Sequence, residues 1–343
     1  MSRDVYLLDC TLRDGGFALE GRKDKKLFFT KEDQINIMDS LVNAGIDIIE
    51  LGTLEKKEYE KKEYAIYSNM NEIREVIERY KNRNSLFAVF FRGPDIPMES
   101  LPKWDCEIKC LIRLGVRYSE MDKSLEYCKG LCEKGYFVSI QPIVTNRYSD
   151  MDLDKIIYAA NKMNAYSLYF VDSYGAMLRD DIKYIFQKYD KELNENIKIG
   201  FHGHNNMGLA ASNVIDLLSI NSKREVIVDS CCIGMGQGAG NLQTEVIASI
   251  LNKTNKKKYS FTEIMKACDI VSSFWNDNLW GYSLSTMIPA VYGVAYKYGL
   301  ALRNEYSYSY EDISNILSTV GDEIKHQFTK DNLEKILIGM DRK

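Results

Sequence analysis

Short apolar, β-prone runs recur along the chain, and a stretch with helical character follows each of them. The eight runs are residues 5–9, 47–51, 86–91, 108–113, 137–143, 167–172, 197–202 and 225–229. Nearly continuous apolar runs indicate strands that are buried on both faces, as in a parallel sheet. A doubly wound sheet can also use eight strands, but no Gly-x-Gly-x-x-Gly follows the first run. We therefore predict a (β/α)8 TIM barrel.

The helical stretches carry recognisable start signals, such as Thr30 followed by Asp33, which predict a capped helix after the first strand. After about residue 255 the pattern is helical to the end of the chain. We predict a barrel domain over residues 1–255 and a C-terminal helical region over residues 256–343 that packs on the barrel.

Composition narrows the class of protein. The 343 residues are 45% hydrophobic, and the net charge is −4 with acidic and basic residues interspersed. This balance argues against nucleic-acid and polybasic membrane surfaces. No signal-peptide core or bilayer-spanning run is recognisable. The 8 cysteines form no Cys-x-x-Cys pair, so we expect reduced, mostly buried thiols in a cytoplasmic protein.

Polar residues end most of the predicted strands, and the active sites of such barrels lie at the C-terminal ends of the strands. The first strand runs into Asp9-Cys-Thr-Leu-Arg-Asp-Gly15. The other polar strand ends are Glu50, Arg113, Gln141, Asp172 with Ser173, His202 with His204, and Asp229. Because polar groups at the ends of buried strands cost free energy unless they pair or coordinate, so many at one rim favour a functional site.

Two of the 3 histidines, His202 and His204, stand one residue apart where an apolar run ends. In an extended segment both side chains project to the same side, so both imidazoles can reach one ion. By itself the pair also fits a polar strand end that binds nothing. Asp14 is a candidate oxygen ligand beside them. Two imidazoles and a carboxylate are compatible with Mn²⁺, Mg²⁺, Zn²⁺ or Fe²⁺ and leave positions open for substrate.

Arg13 is adjacent to Asp14, and Glu50 is the nearest acidic strand-end residue that can hold its guanidinium. An arginine fixed beside a metal suits stabilisation of a developing oxyanion. A structural ion pair between the first two strands explains the same residues. Farther along, a glycine-rich segment ends at Asn241. It either lets backbone approach a phosphate or brings Asn241 toward the metal, and it lacks the pattern of an NTP-binding loop.

Together these motifs resemble the DRE-TIM metallolyase superfamily, and within it the 4-hydroxy-2-oxovalerate aldolase branch. The matching blocks, in order, are residues 9–15 with Glu50, 172–177, 201–206, 229–241 and 280–282. The resemblance covers nearly the whole chain to about Tyr282.

The resemblance implies a role for each matching residue. Asp14, His202 and His204 are implied as metal ligands, and Asn241 as a candidate outer or fourth contact. Arg13 is implied to face the enolate oxygen, Ser173 to bind the carboxylate of a 2-oxo acid, and Tyr282 to be a candidate acid/base.

One position departs from the family pattern. These aldolases carry a histidine base three residues after the metal-binding aspartate, and Phe17 stands there in this chain. The remaining histidine, His326, is expected at the surface in the charged C-terminal tail. The base is then a tyrosine, a carboxylate, a metal-bound hydroxide or a group on the substrate, with Tyr282 as first choice. The aldehyde-side pocket is expected to differ accordingly.

The implied activity is a divalent-metal-dependent aldolase that cleaves or forms a 4-hydroxy-2-oxo acid through a metal-stabilised pyruvate enolate. Mn²⁺ or Mg²⁺ is the expected metal, with Zn²⁺ as the alternative. One competing hypothesis is a Claisen-type acyltransferase of the isopropylmalate or homocitrate synthase kind, using acetyl-CoA and a 2-oxo acid. Another is a non-catalytic barrel that binds a metal or an oxo acid, as Phe17 suggests.

The expected partners are a small-molecule 2-oxo acid and an aldehyde. The C-terminal helices are expected to support a homodimer. Some aldolases of the family also bind an aldehyde dehydrogenase, which we do not predict for this chain.

Overall fold

The computed structural model describes residues 3–16, 29–55, 65–105, 107–254, 258–275 and 280–340. Phe17, the position at which the family pattern places a histidine base, lies outside the described residues.

Eight parallel strands close into a barrel. The strands of the described chain are β1 Val5–Asp9, β2 Ile48–Leu54, β3 Ile66–Tyr67, β4 Leu86–Phe91, β5 Cys110–Val116, β6 Phe137–Pro142, β7 Ser167–Asp172, β8 Lys198–Gly203 and β9 Val226–Ser230. Strand β1 pairs with both β9 and β2, which closes the sheet. The short β3 adds to the end of β2 outside the ring of eight. The predicted TIM barrel is confirmed.

The barrel strands are buried along almost their whole length, as the apolar runs predicted. Every residue of β2, β5, β7 and β9 is buried. Strands β2 and β5 extend three residues beyond their predicted ends because residues 52–54 and 114–116 are also buried. Burial on both faces is the physical reason for the near-continuous apolar sequence.

Helices surround the sheet and continue to the C-terminal end of the described chain. They are α1 Lys31–Ala44, α2 Met70–Arg79, α3 Met121–Glu133, α4 Asp150–Met163, α5 Arg179–Glu192, α6 Ala210–Ser219, α7 Thr244–Thr254, α8 Phe261–Trp275, α9 Leu284–Val291, α10 Tyr296–Asn304, α11 Tyr310–Leu317 and α12 Lys330–Met340. The predicted cap of α1 is present: Thr30 Oγ1 accepts a hydrogen bond from the Asp33 amide at 3.0 Å. The Asp33 carboxylate accepts one from the Thr30 amide in return.

The alternation of strand and helix is broken at one place. Between β4 and β5, the described residues form no α-helix, and their only helical piece is the 3-10 turn Met98–Ser100. The prediction of a helix after every strand is wrong here. Pro94, Pro97 and Pro102 stand in this connection, and proline removes the backbone donor that a helix interior needs.

The C-terminal helices belong to two separate cores. Helix α8 packs on α1 and on the barrel core, where Phe274 meets Phe29 edge-on at 5.2 Å between ring centroids. Helices α9 to α12 surround a second, smaller core that includes Ile288, Tyr298 and Ile313. The predicted boundary at residue 255 stays a prediction. Among the described helices, none is long and apolar enough to cross a membrane.

One close contact in the barrel interior bears on both stability and the site. Gly200 of β8 lies opposite Tyr169 of β7, and a Cβ added at Gly200 would lie 2.2 Å from the tyrosine ring. Tyr169 is fully buried, so its ring has no room to retreat. Glycine is therefore required at position 200 by packing.

We expect Gly200→Ala to lower the free energy of unfolding by about 1–3 kcal/mol, because the added methyl group overpacks the core. Chemical denaturation followed by circular dichroism measures this. The matched control is Gly130→Ala in α3, where the added Cβ meets the flexible end of Met98. Alanine also favours the helix there by about 1 kcal/mol. An equal loss of stability in both variants would contradict the packing argument.

Candidate metal centre

The candidate ligands lie on segments that leave the C-terminal ends of β1 and β8. Arg13 and Asp14 stand on a single helical turn, Thr11–Gly15, directly after β1. Its start is fixed by the Cys10 carbonyl, which accepts from the amides of both Arg13 and Asp14. His202 is in β8, and His204 follows the strand and bridges to Asn241. The barrel thus brings together residues far apart in sequence.

Asp14, His202 and His204 form a compact group. The Asp14 Oδ2 atom lies 3.9 Å from His202 Nε2 and 3.7 Å from His204 Nε2. The ligand-capable atoms of the three residues all lie within 4.8 Å of one another. Ligand atoms about 2.0–2.2 Å from a shared cation have spacings of this order. The group therefore fits a single divalent cation.

Hydrogen bonds orient both imidazoles for this task. His202 Nδ1 lies 2.9 Å from the Asp229 carboxylate, and His204 Nδ1 lies 3.1 Å from the Asp172 carbonyl oxygen. Both partners are acceptors, so each Nδ1 carries the donated proton and each Nε2 faces the Asp14 carboxylate. Partners of this kind commonly fix the tautomer of a metal-binding histidine.

Asn241 supports the group through Asp14. Its Nδ2 donates to Asp14 Oδ2 at 2.6 Å and to the Met235 carbonyl at 3.0 Å. These two acceptors fix the amide orientation. The Asn241 Oδ1 atom is buried and has no hydrogen-bond partner among the described residues, so an acceptor remains available beside the group.

A ring of alternating charges links these ligands through the barrel interior. Arg13 pairs with Asp14 and donates from Nε to Glu50 at 2.7 Å. Arg113 lies 2.8 Å from the same Glu50 oxygen and also pairs with Asp229. Asp229 in turn holds His202, which faces Asp14 and completes the ring. The side chains of the ring are buried.

The ring sets the protonation of its members. Burial opposes ionisation of Asp14, but Arg13, His202 and His204 overcome it and lower the pKa of its carboxyl group below the ordinary value. Burial and the neighbouring His202 lower the pKa of His204 to about 4. At neutral pH the group thus contains a carboxylate and a neutral imidazole, as cation binding requires. For His202, burial is outweighed by the bond to Asp229, which raises its pKa to about 10, so a cation that binds there must displace the proton on Nε2.

The structure brings together Arg13, Asp14, Glu50, His202, His204 and Asn241. Within the described chain, Ser173 and Tyr282 do not hydrogen-bond to this cluster. The Ser173 Oγ accepts from the Val144 amide at 2.9 Å, and Tyr282 is 67% exposed. Tyr282 is nevertheless tied to the glycine-rich segment, because the Gly281 amide donates to the Ala239 carbonyl at 3.2 Å. The roles of all eight residues stay predictions.

Sequence reasoning missed three supporting residues. Arg113 and Asp229 were visible as polar strand ends, but nothing in the sequence showed that they pair with each other and with the ligand set. Nothing in the sequence indicated a role for Tyr169, because it resembles any other large residue of an apolar strand. Its hydroxyl donates to Asp229 at 2.9 Å.

The structure gives His326 a contact that its expected surface position did not include. The residue is half-buried, and its Nδ1 lies 2.8 Å from the Tyr174 hydroxyl, with the two rings stacked in parallel. Tyr174 follows the strand end at Asp172, so the C-terminal region places this histidine at the barrel rim. The expectation of reduced thiols is met in the described chain, where Cys231 and Cys232 are free and fully buried.

Comparison with known proteins finds related sequences and structures. Residues 109–271 match the family model described as HMGL-like. These residues form an HMGL-like domain. A 4-hydroxy-2-oxovalerate aldolase of Geobacillus genomosp. 3 is 29% identical over 252 residues, which cover 73% of this chain and 71% of that protein. A relative with the same name from Thermomicrobium roseum is 29% identical over 247 residues, covering 71% and 66% of the two chains.

Solved structures show the same fold. The N-terminal domain of a Bacteroides vulgatus protein superposes with a TM-score of 0.72 at 21% sequence identity, covering 90% of this chain and 99% of that one. The HMGL-like domain and the named relatives support an enzyme, a metal-dependent aldolase or lyase. They do not favour the acyltransferase or the non-catalytic alternative.

We expect His204→Ala to weaken binding of Mn²⁺ or Mg²⁺ by at least about 100-fold, because loss of a ligand exceeds the effect of losing its supporting partner. Isothermal titration with Mn²⁺ measures the affinity. The matched control is His326→Ala, which removes a histidine outside the cluster and should bind the metal as the wild type does. Unchanged affinity in His204→Ala would contradict the assignment.

We expect Arg113→Gln to lower the free energy of unfolding by about 3–5 kcal/mol, because Glu50 and Asp229 lose a buried counter-charge. Urea denaturation measures the change. The control is Arg117→Gln, whose side chain is 40% exposed beside Asp95 and whose loss should cost about 0–1 kcal/mol. Similar losses in the two variants would show that the buried ring has no special weight.

Proposed function

We propose that this enzyme cleaves or forms a 4-hydroxy-2-oxo acid, with pyruvate and an aldehyde as its two halves. The observation that carries the proposal is the convergence of Asp14, His202 and His204 with Arg13 at the barrel rim. The relatives named 4-hydroxy-2-oxovalerate aldolase support the choice of substrate class.

We assign a divalent cation, Mg²⁺ or Mn²⁺ before Zn²⁺, to Asp14, His202 and His204. When bound, it would supply Lewis-acid stabilisation of negative charge on the oxygen of a 2-oxo acid. The buried acceptor of Asn241 supports its assignment as an outer or fourth contact.

Arg13 is the proposed donor to the enolate oxygen of pyruvate. Its guanidinium is buried and held between the carboxylates of Asp14 and Glu50, and Phe90 packs against its face at 4.5 Å from the ring centroid. The group therefore needs no reorganisation when charge develops, which is the condition for effective electrostatic catalysis. Glu50 acts in this scheme by positioning Arg13.

Ser173 and Tyr282 complete the proposed site. The Ser173 hydroxyl oxygen accepts from the Val144 amide, which leaves the hydroxyl proton to donate to the substrate carboxylate. Tyr282 is proposed as the acid/base that moves a proton at the aldehyde half. Its exposure and its attachment beside the glycine-rich segment support a residue that meets substrate at the rim.

We also propose a cytoplasmic homodimer. The spacing and free state of the cysteines support a reducing compartment. Val291 and Tyr292 at the end of α9 are exposed, and they support an interface formed by the C-terminal helices.

The test of the function is exchange of the pyruvate methyl protons with deuterium, followed by ¹H NMR with Mg²⁺ in D₂O. We expect exchange that requires the metal and stops with EDTA. Arg13→Lys should slow it by about 100-fold, because the fixed donor is lost. Aldol cleavage in Tyr282→Phe should fall by about 100-fold or more.

The controls keep the same chemistry outside the site. Arg117→Lys and Tyr292→Phe should leave both rates near the wild-type value. Absence of metal-dependent exchange in the folded protein would overturn the aldolase proposal. Equal exchange rates in Arg13→Lys and wild type would remove Arg13 from the mechanism.

A further inference from the structure

A pocket opens where the C-terminal region meets the barrel rim. Its volume is about 420 Å³, within the range of small-molecule sites. Five segments line it: the turns Tyr118–Glu120 after β5 and Thr145–Arg147 after β6, Tyr174 after β7, Gly293 between α9 and α10, and the turn between α11 and α12. The lining residues include Tyr118, Arg147, Tyr174, Asp322, Lys325 and His326.

The C-terminal wall of this pocket is held rigidly. The fully buried Tyr298 directs its hydroxyl at the carbonyl oxygens of Ile324 and Gln327, at 2.9 and 2.8 Å. The Ala295 amide donates to the Lys325 carbonyl at 2.8 Å. The turn that carries Lys325 and His326 is therefore fixed from below, and both side chains project from an ordered backbone.

The pocket carries more positive than negative charge. Arg147 stacks over Tyr118 at 4.5 Å from the ring centroid, and no carboxylate of the described chain pairs with it within 4.0 Å. Lys325 pairs with Asp322, which is the acidic residue in the lining. Two cations thus face one carboxylate.

His326 adds a neutral donor. Burial, Arg147 and Lys325 lower the pKa of His326 to about 4, so its ring is uncharged at neutral pH. Burial raises the pKa of Tyr174 above its ordinary value, so its hydroxyl keeps its proton and can donate to His326 Nδ1 at 2.8 Å. The proton of the neutral ring is then on Nε2, which has no hydrogen-bond partner in the described chain.

The pocket lies beside the metal centre without sharing its ligands. Tyr174 directly follows Ser173. Gly175 packs so closely on the segment after β8 that an added Cβ would lie 2.5 Å from the His204 carbonyl oxygen. None of the metal-binding triad lines the pocket. A ligand here would be adjacent to substrate and held by different groups.

We propose that this pocket binds the oxyanion end, a carboxylate or a phosphate, of a small molecule through Arg147, Lys325 and His326. Guanidinium, ammonium and imidazole N–H groups form the charge-assisted hydrogen bonds that such anions accept. The oxyanion is either the distal end of the aldehyde half of the substrate or part of a separate ligand. The first source rests on the proposed aldolase function, whereas oxyanion binding itself does not.

The test is calorimetric titration of the Mg²⁺-loaded protein with inorganic phosphate and with malonate. We expect saturable binding that weakens by about tenfold in Arg147→Gln and in Lys325→Gln. Lys335→Gln, an exposed charge on α12, should bind as the wild type does. His204→Ala should also retain binding, which separates the pocket from the metal. Circular dichroism confirms that each variant is folded.

Three results would overturn the proposal: absence of saturable binding, wild-type affinity in both Arg147→Gln and Lys325→Gln, or loss of binding in His204→Ala alone. The source of the oxyanion is then determined with two aldehydes, propanal and succinic semialdehyde. If the oxyanion belongs to the substrate, Arg147→Gln lowers kcat/KM about tenfold for the carboxylated aldehyde only. If it belongs to a separate ligand, the variant affects both aldehydes equally. Absence of turnover would refute the aldolase function and leave the titration to decide the pocket.

Discussion

A closed ring of buried charges is the constraint on which the rest of this site depends. Arg13, Glu50, Arg113 and Asp229 alternate in sign between Asp14 and His202, two of the proposed metal ligands. Such groups are costly to bury singly and tolerable only when each has a partner. The ring therefore fixes the relative positions of the strands that carry its members. The proposed metal ligands are held in place in the same way, because they are attached to these strands.

The ring also explains how a stable barrel can carry a reactive rim. The lower parts of the strands are apolar and closely packed, as at Gly200 and Tyr169. Tyr169 connects this core to the ring, because its hydroxyl holds Asp229 while its face covers Gly200. Core packing and the hydrogen bond to Asp229 both act on Tyr169. The orientation of His202 therefore depends on the hydrophobic core as well as on its electrostatic partner Asp229.

The C-terminal helices contribute chemistry to the rim as well as stability. Their small core holds the turn that carries Lys325 and His326 against the loops after β6 and β7. The C-terminal region also contacts the glycine-rich segment through Trp280, whose indole donates to the Ile233 carbonyl at 2.9 Å. The rim is thus built from both ends of the chain, with loops placed on a rigid scaffold.

The sequence by itself determined the barrel, its strand positions to within three residues, and the polar strand ends that include Asp14, Glu50, His202 and His204. Burial on both faces requires a nearly continuous apolar run, so the strands and the polar residues that end them can be recognised from the local sequence. Only the tertiary structure decided that Arg113 and Asp229 close a charge ring, and that His326 reaches Tyr174 from 152 residues away. Pairing between distant segments leaves no local pattern, because each partner by itself resembles an ordinary polar or surface residue. The connection between β4 and β5, whose described residues form no α-helix, is the opposite case. Its prolines were visible in the sequence, but the repeat of strand and helix still predicted a helix there.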